Sequence, residues 1–228
     1  MASQFPNDRP PPVTPPPPYS PGPDAAGLIA RLRGLVTNPR LEWPRIDATP
    51  MTEQAIYTGV VVPLAAIPAI ARAVGSVVFP PHVFGIIIRT SVAGAVTGAV
   101  VGFLLSVLSV FLTALIVSAL APQFGGVNDR TRATKLIAFT SAPVWAAGIL
   151  YIIPQLGGLA TLVAGLYAIY LLYLGLPVLM KSAPDKTVGF IVVTALVGIV
   201  VSLVVLTIAG TIVAAVTPTP TLGSVTVG

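Results

Sequence analysis

The sequence has no cysteine and a single histidine, and only 8% of its 228 residues are charged. Without cysteine there are no disulfides, thiolate nucleophiles or cysteine-based metal sites. The one histidine, His82, stands beside Pro80 and Pro81, and nothing nearby in the sequence supplies the further ligands a metal needs. The scarcity of charge excludes more. A soluble globular protein carries about 25% charged residues, so this chain cannot cover a water-facing surface. With 55% hydrophobic residues, the composition is that of an integral membrane protein. No Asp or Glu falls inside the long apolar runs, which argues against intramembrane aspartyl proteolysis and carboxylate-coupled transport. There is no G-x-S-x-G motif and no phosphate-binding glycine loop. These absences point to no catalytic residue, no metal and no cofactor. The formal net charge of +5 comes from basic residues flanking apolar runs, so it bears on membrane orientation and not on nucleic acid. No apolar segment follows a basic start, so no cleavable signal peptide is expected.

Residues 1–24 hold ten prolines and read as a disordered tail that cannot bury a core. Within it, Pro16 to Tyr19 spells PPPY, which fits a WW-domain ligand as well as a plain flexible tail. Residues 25–50 form a juxtamembrane segment. Asp24 could cap it, and Leu28, Ile29, Leu32, Leu35 and Val36 fall on one face of a short amphipathic helix. Arg31 and Arg33 lie off that face, which suits an anionic membrane surface or packing on the protein's own cytoplasmic side. Next comes "NPRLEWPRIDATP", expected as a linker, with Trp43 as an interfacial anchor. Thr49, Pro50 and Glu53 make a reasonable helix start.

Five membrane-spanning helices are expected over residues 51–216, at about 55–74, 90–121, 134–153, 158–180 and 188–214. The second is about 48 Å long if straight, so it must tilt, bend or emerge. "PQLGG" is expected as the turn into the fourth. Ten of the twelve basic residues fall in the leader and in the loops after spans two and four. The positive-inside rule therefore puts the N-terminus in the cytoplasm and the 217–228 tail outside. Arg72 and Arg89 stand near the outer ends of the first two spans, where they can bind lipid phosphate or snorkel.

Two seams stand out. Tyr167, Tyr170 and Tyr173 recur every three residues and drift slowly around one face of span four. With Lys181 as the membrane edge, Tyr170 lies about 16 Å deep, so its hydroxyl should find a partner on another helix. The stripe is then interhelical glue, a substrate path or a docking groove. Pro177 frees the carbonyl of Tyr173 and bends the same helix. Gly94, Gly98 and Gly102 form overlapping G-x-x-x-G motifs for close helix approach, within the monomer or in a dimer.

"NPRLEWPRI", "VVPLAAIPAIA", "LAPQFGG" and "LYAIYLLYLGLPVLMKSAPDKTVGFIVV" occur in that order. Together they resemble the Yip family, the Ypt/Rab-interacting membrane proteins, over about residues 30–215. The leader lacks the acidic "DLYGP"-type motif of the eukaryotic branch, so the resemblance is to bacterial members. It implies an all-α, five-helix fold, a cytosolic N-terminus, a bacterial inner-membrane location and no transferable catalytic residue. The eukaryotic role in Rab-dependent trafficking does not follow, because bacteria have no Rab cycle. Two functions remain open. One is a non-enzymatic scaffold or adaptor that touches the bilayer and a membrane-protein partner or a second copy of itself. The other is a small transporter or channel for an uncharged or lipid-like substrate, with Ser106, Ser109, Thr113, Thr140 and Ser141 as its polar path. A missing intramembrane charge and the lack of a clear inverted repeat count against the latter.

Overall fold

The computed structural model describes residues 25–80, 82–83, 86–87 and 90–216. The proline-rich leader with its PPPY motif, Asp24, Arg89, the side chain of His82 and the 217–228 tail lie outside the described residues.

Among the described residues, five helical segments are long and apolar enough to cross a membrane: Glu53–Val78, Val92–Phe124, Arg130–Ile152, Pro154–Met180 and Thr187–Ala215. Their cores are α4 (Val62–Val78), α5 (Val92–Leu120), α6 (Arg130–Ala147), α7 (Pro154–Met180) and α8 (Thr187–Val216). Two shorter helices precede them, α1 (Ala25–Thr37) and α2 (Pro39–Ala48), and a single turn, α3 (Glu53–Ile56), leads into the first span. Between α4 and α5 the described residues form a minimal antiparallel ladder, His82 opposite Ile87 and Val83 opposite Ile86.

Side-chain caps set several helix starts. The Thr52 hydroxyl accepts from the Ala55 amide at 3.0 Å, Ser91 from Gly94 at 3.1 Å and Asp129 from Arg132 at 3.0 Å. The first span thus starts at Thr52. The expected cap, Thr49, instead closes α2, its hydroxyl donating to the Arg45 carbonyl at 2.7 Å. Pro63 has no N–H for the Gly59 carbonyl, and the backbone answers by widening into a π turn over Tyr57–Val61 just before it.

Two expected connections are helical. "NPRLEWPRIDATP" is not a linker: Pro39 sits at the first position of α2, where no N–H is needed, and the helix runs to Ala48. "PQLGG" is not a turn either. Pro154 opens α7, and the chain reverses earlier, in a 3-10 segment over Gly148–Ile152. Gly75 on α4 leaves room for the Tyr151 carbonyl of that reversal, which a Cβ would strike.

α1 and α2 form a helical hairpin along one end of α7. Asp47 near the base of the hairpin meets Lys181 just past the α7 C-terminus. Trp43, midway along α2, is fully buried against Gly175. The Tyr167 hydroxyl donates to the Leu35 carbonyl near the hairpin tip at 2.7 Å. Trp43 is therefore a core residue and not an interfacial anchor. A Cβ on residue 175 would come within 2.6 Å of its indole, so only glycine leaves the notch the ring fills.

The hairpin covers the last turns of α7. Exposed apolar and tyrosine side chains on α7 run from Leu156 to Tyr173, and none of residues 174–180 is exposed. That band is about 26 Å tall at 1.5 Å per residue, close to the roughly 30 Å hydrocarbon core. On α7 the exposed band ends at Tyr173, about two turns before Lys181, whereas on α8 exposed apolar side chains begin at Val188.

Trp43→Ala is expected to destabilise the protein by about 3–5 kcal/mol, as for other buried large-to-small changes, measured by denaturant unfolding in detergent. Gly175→Ala should destabilise in the same direction. Wild-type stability in both would mean that the notch does not hold the hairpin.

Candidate functional site: a clamped hairpin and a cavity among the spans

The charged side chains gather at the hairpin end of the bundle. Asp47 accepts from Arg132 Nη1 at 2.8 Å and from Lys181 Nζ at 2.9 Å, joining α2 to the first turn of α6 and the end of α7. Arg132 also donates to the Leu179 carbonyl at 3.2 Å and meets Asp129 at 3.2 Å. Lys135 is almost fully buried. Its ammonium donates to the carbonyls of Ile46 at 3.3 Å and Thr49 at 2.6 Å, at the C-terminal end of α2, where free carbonyls favour a cation. Arg130 pairs with Glu53 at 3.2 Å and stacks over the Phe111 ring. Fixed pairs of this kind hold geometry more than they add stability.

The predicted surface residues divide here. Arg31 turns inward, donating to Thr49 Oγ1 at 2.8 Å and pairing with buried Glu42 at 3.5 Å. Arg33 is exposed. Leu28 and Leu35 are buried, whereas Ile29 and Val36, expected on the same face, are exposed together with Leu41 of α2. The tyrosines divide as well. Tyr167 reaches the hairpin, but Tyr170 and Tyr173 are 41% and 54% exposed, and among the described residues neither hydroxyl makes the expected hydrogen bond to another helix. They stand at the rim of the apolar band, where tyrosine is commonly enriched. Pro177 lies in the stretch of α7 that the hairpin covers.

The second feature is a cavity of about 1030 Å³ lined by α4, α5, α6, α7 and α8. Gly94, Gly98 and Gly102 line its α5 wall. Gly94 is buried, but Gly98 and Gly102 bring no backbone close: a Cβ on Gly98 would meet only Val213 at 3.8 Å, and one on Gly102 would meet nothing within 4 Å. Ser106, Ser109, Thr113, Thr140 and Ser141 line the same space. Ser106 donates to the Gly102 carbonyl of its own helix at 2.7 Å. Thr140 on α6 and Thr194 on α8 are only 8% and 2% exposed, and their hydroxyls have no hydrogen-bond partner. Arg72 lines the cavity and lies over the Tyr151 ring at 4.0 Å, and the Tyr151 hydroxyl meets Thr161 of α7 at 3.0 Å.

Sequence reasoning missed Lys135 and Asp47 as a clamp and Thr194 as a cavity residue. A lysine five residues into a span was the available signal for the first. For Thr194, one threonine in an apolar helix gives no signal.

Five membrane-spanning helices carrying a docked helical hairpin define a multi-pass membrane protein. The Yip1 domain family model matches residues 33–209, and the chain belongs to that family. The match begins within α1 and so includes the α1–α2 turn and α2 with the spans. No curated protein and no solved structure matches the chain.

Asp47→Asn should speed hydrogen–deuterium exchange in α1 and α2 by about tenfold, the factor for one lost charge-assisted hydrogen bond. The five spans should exchange as before. Unchanged exchange in the hairpin would show that the clamp is dispensable.

Proposed function

We propose that the chain is a non-enzymatic scaffold or adaptor of a bacterial inner membrane, with its N-terminus in the cytoplasm. The clamped hairpin carries this reading. Its tip lies beside Tyr167, six residues inside the band edge at Tyr173, or about 9 Å. Interfacial amphipathic helices bury their apolar face by about 5–10 Å. Val36 and Leu41 near the tip are exposed, as are Arg33 and Arg40. Apolar residues entering the interface beside arginines that reach lipid phosphate make a lipid-facing wedge. Tyr170 and Tyr173 border the wedge and provide a rim on which a membrane-protein partner or a second copy can sit.

A transporter for an uncharged or lipid-like substrate is the second reading, and the cavity favours it. A photo-crosslinker at Tyr170 or Tyr173, used in native membranes, separates the two. A discrete second protein, or a second copy of the bait, is expected at these rim positions and not from a crosslinker at Gly165 inside the cavity. Recovery of lipid adducts alone at the rim would overturn the adaptor and leave the transporter.

A further inference from the structure

We propose that the cavity among the spans is a binding site for one phospholipid with an anionic headgroup, which enters laterally between α7 and α8. The inference stands apart from the adaptor reading, and binding does not require that the lipid be moved across the membrane.

The walls select an amphiphile. Most lining residues are aliphatic or glycine. Several lining hydroxyls are already satisfied by their own helices, Ser202 through the Gly198 carbonyl at 2.7 Å and Thr161 through the Gly157 carbonyl at 2.8 Å. Thr140 and Thr194 are not satisfied, although both are more than nine-tenths buried. A buried hydroxyl without a partner is costly. A χ1 rotation would turn either hydroxyl from its sealed position toward an occupant that brings oxygen, as ester carbonyls or as water entering with them.

Charge selects the headgroup. Among the described residues that line the cavity, Arg72 is the only one with a formal charge. Its guanidinium faces the Tyr151 ring, and no carboxylate pairs with it among the described residues. Its remaining donors suit a phosphate oxygen. At one end of the cavity, then, sits an unneutralised cation, with long apolar walls leading away from it. A soluble anion would leave those walls empty; Arg72 is itself exposed, so it favours an anionic headgroup over a neutral one without depending on the occupant for solvation.

Access is lateral. Leu162 and Leu166 of α7, and Ile199 and Leu203 of α8, line the cavity and are each more than half exposed, so the cavity is open on this side. Gly165 and Gly198 lie on these same helices, and a Cβ on either would meet nothing within 4 Å. Both are thus places where a larger side chain fills the space without displacing a neighbour.

The test uses the full chain purified in detergent, depleted of lipid and titrated with phosphatidylglycerol, phosphatidylcholine or inorganic phosphate, with adducts counted by native mass spectrometry. One retained phosphatidylglycerol is expected, with no adduct from inorganic phosphate. Arg72→Gln should lower the preference for phosphatidylglycerol over phosphatidylcholine by about fivefold, the ratio that one basic side chain near a membrane surface supports. Gly165→Leu with Gly198→Leu should abolish retention of either lipid. Thr140→Val should raise the melting temperature of the lipid-free protein, because it removes an unpaired buried hydroxyl, and should weaken lipid retention. Retention unchanged in the double leucine variant would overturn the site. An unchanged lipid preference in Arg72→Gln would overturn the headgroup assignment, and an adduct with inorganic phosphate alone would overturn the lipid.

Discussion

The Asp47 carboxylate lies between Arg132 and Lys181, and the position of the hairpin depends on that bridge. It fastens α2 to two spans at once, where the exposed apolar side chains of α7 have stopped. Lys135 secures the same end from beneath by donating to the last carbonyls of α2. Trp43 is held by shape, because Gly175 leaves a notch for its ring, although its indole N–H is buried without a hydrogen-bond partner. Charge sets which elements meet, and burial of the indole makes the contact rigid.

With the hairpin docked, the final turns of α7 belong to a protein-covered layer and not to the lipid-facing one. That single consequence reassigns the tyrosine stripe. Measured from Lys181, Tyr170 is deep. Measured from the end of the exposed band, Tyr170 and Tyr173 are at its rim, while Tyr167 points at the hairpin. Three residues of one type, evenly spaced on one helix, thus meet two different environments.

The cavity follows from a similar division of labour. In many membrane helices G-x-x-x-G spacing lets backbones touch. Here Gly75 and Gly175 are among the close approaches, each against a specific group of another element, whereas Gly98 would meet only Val213 and Gly102 faces open space. The small residues of α5 set how wide the interior is and not how tightly the helices join. Phe124 stacks on Phe190 at 4.8 Å and ties the end of α5 to the start of α8, so the two helices are held together beside the cavity without filling it.

The sequence by itself determined the class, the five spans and the family. Length and continuity of apolar runs are local properties, and in a bilayer every backbone polar group must be satisfied within its own helix. It also pointed to the hydroxyls Ser106, Ser109, Thr113, Thr140 and Ser141 that line the cavity. Only the tertiary structure decided that "NPRLEWPRIDATP" is a docked helix, that Trp43 is core, that Arg31 turns inward and that the exposed band of α7 ends at Tyr173. These depend on partners distant in the chain: Gly175 for Trp43, Arg132 and Lys181 for Asp47, Leu35 for Tyr167. Periodicity reports which face of a helix is apolar, but not whether lipid or another helix covers that face, because in a membrane both are equally apolar.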